Sequence, residues 1–164
     1  MKNFIQKILK GNSTQQVYAQ ISNEPGKGIN SKAVKKMQDQ LLAGMHQNDM
    51  QKQFNAASQM LIQGDYEAAI KANQMLSEKY PEEKAECENS IGACWFFLNE
   101  FEKAISHYLI SKEAGMDADM IEDNIWESAE AHYSKTANTN LLKKYLELYP
   151  DGSYRKDAEG LLKI

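Results

Sequence analysis

Valine occurs only twice in the 164 residues, proline three times and glycine nine times. So few β-branched residues and turn formers leave little material for a sheet, and no stretch alternates apolar and polar residues over a strand's length. No apolar run approaches the roughly 18 residues of a spanning helix. The N-terminal stretch MKNFIQKILKG is interrupted by Gln6 and Lys7 and is followed by no small-residue cleavage site, so it is a poor secretory signal and a cytoplasmic location is expected. Cysteine is also scarce. Cys87 and Cys94 lie seven residues apart, about 10.5 Å along one helix at 1.5 Å per residue. A disulfide needs its Cα atoms within about 7 Å. The pair therefore reads as two small buried apolar side chains in a reducing compartment. What is plentiful, namely Ala, Leu, Gln, Glu, Lys and Met, favours an all-α fold at a length that suits one domain.

The formal charge of −4 is unevenly spread. Residues 1–48 carry seven lysines against Glu24 and Asp39, a surplus of +5, whereas residues 49–164 carry twelve basic and twenty-one acidic side chains, a surplus of −9. An acidic body argues against nucleic acid as a partner, because phosphate backbones are held by clustered Lys and Arg. Residues 1–10 can form a basic amphipathic helix with Phe4, Ile5, Ile8 and Leu9 together, and residues 12–30 read as a linker around Pro25, Gly26 and Gly28. Such an arm is attracted to the acidic body of its own chain or of a second copy, giving a homodimer; as a membrane anchor it is weak. A helix is expected over residues 31–47, with Ser31 as its cap. The apolar stripe changes phase between Met45 and Met50, which predicts a break there and a new helix from Asn48, with a single kinked helix as the alternative.

From residue 48 the chain repeats itself. Gly64-Asp65-Tyr66 returns as Asn99-Glu100-Phe101 and Ala69 as Ala104, each 35 residues on, while Trp126 follows Gly92 by 34. That period belongs to helical repeats, in which each pair of antiparallel helices buries its apolar face only by stacking on its neighbours. Three units are expected, at about 48–81, 83–116 and 118–150, the third the most divergent, with a capping helix over 153–163.

These residues resemble the tetratricopeptide repeat over about 115 positions. Ile91, Gly92 and Trp95 match the first helix of that family, Ala104 and Tyr108 the second, and Pro81 and Pro150 its end. The first unit has Ala56, Ala57, Met60 and Asn73 in the corresponding places, and the third has Trp126 where a small residue is expected and Asn138 where alanine is. The resemblance implies a short right-handed superhelix, in the plain style of bacterial members, with a concave face built from the first helix of each pair. It further implies that a protein or peptide ligand lies on that face, against Phe54, Asn55 and Ser58, then Asn89, Ser90, Ala93 and Phe97, then Asp123, Asn124 and Glu127. Asparagine recurs once per unit, at 55, 89 and 124, and its side chain can both donate to and accept from a peptide backbone. Phe54 and Phe97 read first as core filling and second as interface anchors. None of these positions is basic, and Glu86, Asp123, Glu127 and Glu130 would repel a carboxylate, so the ligand expected is a neutral or basic segment.

Nothing points to catalysis. His46, His107 and His132 are scattered, no nucleophile elbow or phosphate-binding glycine loop occurs, and Asp117, Asp119, Glu122 and Asp123 lack the spacing of a calcium loop. No metal and no cofactor is expected. The function that follows is a non-catalytic adaptor or scaffold. The alternatives are a dedicated inhibitor or immunity-type protein using another surface, and a structural subunit that associates with itself.

Overall fold

The computed structural model describes residues 31–163, and these contain seven α-helices and no strand. The basic arm and linker expected at residues 1–30 lie outside the described residues. The chain divides into two units, Met1–Met45 and His46–Ile164. In the first unit the described residues are helical throughout.

Helix α1 runs over Ser31–Gln63 without the break expected between Met45 and Met50. No proline interrupts this stretch, and an asparagine inside a helix costs only a few tenths of a kcal/mol relative to other polar residues. Asp49 is not at a helix start. Its carboxylate is drawn to the next helix instead, accepting from Lys79 Nζ at 3.1 Å and from Tyr80 Oη at 3.2 Å. The change of apolar phase marks where α1 begins to be covered: Met45 is exposed, whereas Met50, Phe54 and Ala57 pack on Leu76, Tyr80 and Cys87.

The remaining helices follow in antiparallel succession: α2 Tyr66–Lys79, α3 Lys84–Phe97, α4 Phe101–Glu113, α5 Ala118–Thr136, α6 Asn140–Leu148 and α7 Arg155–Leu162. From α2 onward each helix packs mainly on its neighbours in the chain. The repeat is visible in the backbone. Gly64 N donates to Leu61 O, Asp65 N to Met60 O and Ala69 N to Asp65 O; Asn99 N donates to Phe96 O, Glu100 N to Trp95 O and Ala104 N to Glu100 O. Every donor and acceptor has moved by 35 residues. Both turns are Schellman closures whose residue after the C-cap takes a left-handed conformation, Gly64 with φ 82° and Asn99 with φ 64°.

Ala69 and Ala104, in the first turn of the second helices, are fully buried, and Gly92 explains why one small residue is needed. A Cβ added there would lie 2.6 Å from two ring carbons of Tyr108. The ring of α4 rests directly on the backbone of α3.

The third pair solves the same packing problem with the sizes exchanged. Trp126 stands 34 residues after Gly92, and Leu142 stands 34 after Tyr108. Both belong to the largest core cluster, with Ile121, Ile125, Leu141 and Tyr145. The indole lies parallel to Tyr154 at 5.2 Å and edge-on to Tyr145 at 5.3 Å. The capping helix expected at 153–163 is α7.

Candidate functional site

The candidate residues lie on α1, α3 and α5, the first helices of the three pairs. Asn89 and Asn124 meet: Asn124 Nδ2 donates to Asn89 Oδ1 at 3.0 Å, joining α3 to α5. The bond uses one donor of one amide and one acceptor of the other. Asn89 keeps its N–H donors and Asn124 its side-chain oxygen, so the pair still offers both halves of a peptide bond's complement. Asn55 is exposed and accepts from Gln51 Nε2 at 3.0 Å, one turn earlier in its own helix.

Ser58 is exposed, and Ser90 and Ala93 are half-buried. Phe54 is half-buried against Ala57, Leu76, Tyr80 and Cys87, in keeping with core filling. Phe97 departs from that expectation. It is 51% exposed, although Tyr66 lies parallel to its ring at 5.4 Å and Phe96 edge-on at 5.6 Å.

Asp123 is exposed, and its carboxylate accepts from Tyr154 Oη at 2.8 Å. Glu86, Glu127 and Glu130 are exposed and take part in no ion pair among the described residues. Glu88 is engaged with His107 Nδ1 at 2.7 Å. Asp117, first of the acidic run, caps α5 by accepting from Met120 N at 2.9 Å. Helix initiation accounts for its place there.

Two residues of this region escaped the sequence reading. Tyr66 was visible only as the aromatic of the turn, and Tyr154 only as a position in the expected capping helix over 153–163. A tryptophan in a position that asks for glycine was the available signal for Tyr154, since so large a ring needs a further element to cover it.

The titratable groups displaced from their ordinary values all move away from neutrality. Lys79 beside Asp49 holds that carboxyl low. Burial pushes the Cys87 and Cys94 thiols up to about 11, helped at Cys87 by neighbouring glutamates, and burial also raises Tyr108 and Tyr145. Thiols so placed are poor nucleophiles at pH 7. Among the described residues no group of three His, Cys, Asp or Glu side chains could hold a metal ion, and no helix is long and apolar enough to cross a membrane. No protein-family model matches the sequence, and no curated protein matches it.

Proposed function

We propose that residues 48–164 are a tetratricopeptide-like array acting in the cytoplasm as a non-catalytic adaptor, and that the first helices of its pairs hold a neutral or basic segment of another protein. The observation that carries this reading is the Asn89–Asn124 bond. It fixes two amides side by side across adjacent repeats, with one donor group and one acceptor still to offer. A backbone in extended conformation presents the matching groups whatever its side chains. Half-exposed Phe97 supplies an apolar anchor, and Glu86, Glu127 and Glu130 bias the face toward a partner without negative charge.

The test is site-directed photo-crosslinking in cells, with the crosslinking amino acid at Ser90 on α3 or at exposed Ser106 on α4. A discrete adduct from position 90, lost when Asn89 and Asn124 are both alanine, supports the reading. Adducts from position 106 alone favour the inhibitor alternative. Adducts only between copies of this chain make it a self-associating subunit.

A further inference from the structure

The segment after the third pair is bound strongly to itself and through few points to the rest. Arg155 ties it internally: its guanidinium donates to Pro150 O at 2.9 Å, Asp151 Oδ1 at 3.2 Å and Glu159 Oε1 at 3.0 Å. Its attachment is concentrated in three residues. Ser153 N and Tyr145 Oη both donate to Glu122 Oε1, Tyr154 N donates to Tyr145 Oη at 3.0 Å, and Tyr154 Oη donates to Asp123 at 2.8 Å while its ring covers Trp126. Gly152 permits this approach, since a Cβ there would lie 2.6 Å from both Glu122 Oε1 and Tyr145 Oη.

Beyond Tyr154 the hold is apolar and short: Ala158, the one fully buried residue of α7, joins the largest core cluster, Leu161 and Leu162 are partly buried against it, and the rest of the helix faces solvent or is half covered. Segments with few buried contacts open below the free energy of global unfolding.

We propose that residues 150–162 form a releasable clip over the third helix pair, keyed by Tyr154, whose opening frees the Asp123 carboxylate and uncovers Trp126 on the helix that carries Asn124. Closed, the clip occupies one acceptor position of the Asp123 carboxylate and lays the Tyr154 ring over Trp126. Open, it returns that acceptor and exposes the indole. Its existence does not depend on the adaptor reading, because opening is measurable without a partner.

Native-state hydrogen exchange on the full chain in sub-denaturing urea, read by mass spectrometry, is the test. Amides of Ala158–Leu162 are expected to exchange at least about tenfold faster than those of Ile91–Cys94 and with little urea dependence. Tyr154→Phe keeps the ring on Trp126 and deletes the bond to Asp123. It should raise opening of α7 roughly three- to tenfold and leave Ile91–Cys94 unchanged. In a Trp95→Phe background Trp126 is the sole tryptophan, and Tyr154→Phe should increase its quenching by acrylamide. Exchange of α7 only through global unfolding, or equal acceleration of both sets of amides by Tyr154→Phe, overturns the proposal.

Discussion

Replacing glycine by alanine inside a helix ordinarily stabilises a protein, by about 0.5–1 kcal/mol. At Gly92 the sign should reverse. The new methyl would meet Cδ1 and Cε1 of Tyr108 at 2.6 Å and Cζ at 3.1 Å, against a ring that is only 4% exposed and has nowhere to swing. Overpacking of this kind costs about 1–3 kcal/mol. With a ring so confined we take the upper end, which leaves a net loss of about 2 kcal/mol after the helical gain. For a unit of this size that lowers the melting temperature by roughly 5–10 °C, followed by circular dichroism at 222 nm. Gly160→Ala is the control. The space there is open, so the same change should slow hydrogen exchange in α7 by a few-fold. Tyr108→Leu, which copies the residue at the equivalent position of the third pair, costs about 2–3 kcal/mol alone by leaving a gap over Gly92. In the double variant the alanine should no longer cost anything, a coupling of about 2 kcal/mol. A Gly92→Ala protein that melts within a degree of the parent, or a cycle additive to about 0.5 kcal/mol, refutes the account of how α3 and α4 meet.

Three other outcomes follow from the same geometry. Ala137 closes α5 with φ 55° and an exposed side chain, so Ala137→Gly should stabilise the protein by about 0.5–1 kcal/mol in urea denaturation. Cys87 and Cys94 have folded-state values raised to about 11 from 9.0, so the protonated thiols contribute stability that is complete below about pH 9 and is lost as pH rises through 11. Urea midpoints should fall over that window, less so in a Cys87→Ala, Cys94→Ala variant, and the native thiols should react with a disulfide reagent at pH 8 far more slowly than in denaturant; an unchanged slope in the variant refutes the assignment. Asn89→Ala with Asn124→Ala removes both ends of one half-exposed hydrogen bond, so the melt should move by less than about 1 kcal/mol while crosslinking from Ser90 disappears.

Much of the first two pairs was legible because their regularity lives in the backbone. A left-handed residue, an acidic residue and an aromatic in succession specify a Schellman turn and the start of the next helix, and Gly64-Asp65-Tyr66 and Asn99-Glu100-Phe101 satisfy it identically. The continuity of α1 was not legible, since a shifted apolar stripe looks the same whether a helix breaks or its covered face changes. The asparagine recurrence was visible in the sequence, but the bond between two of its members depends on how close α3 and α5 come. For Phe97 the sequence left core filling ahead of an anchoring role, whereas the ring is half exposed, and its stacked neighbour Tyr66 stands thirty-one residues earlier.

The third pair carries the larger lesson. Read one position at a time, Trp126 is a mismatch to a repeat that wants glycine. Read across the pair, the series is Ala57 with Asn73, Gly92 with Tyr108, and Trp126 with Leu142. By sequence offset the smallest residue is matched with the largest, in direct contact at Gly92 and Tyr108, and the order is reversed where the tryptophan enters. Close packing requires the total volume at a contact to be kept and leaves open which helix supplies it. Leu142 cannot balance so large an indole alone, and Tyr154 provides the remaining cover from outside the repeat. The divergence of the third unit and the presence of the C-terminal segment are then linked, since a glycine at 126 would take away the ring on which Tyr154 stacks and leave it only the edge-on contact with Tyr145. Restoring the repeat by Trp126→Gly should therefore destabilise the protein, by about 3–5 kcal/mol as for other large-to-small changes at a buried tryptophan. It should also set α7 loose, seen as exchange of its amides without protection at a urea concentration where Ile91–Cys94 remain protected.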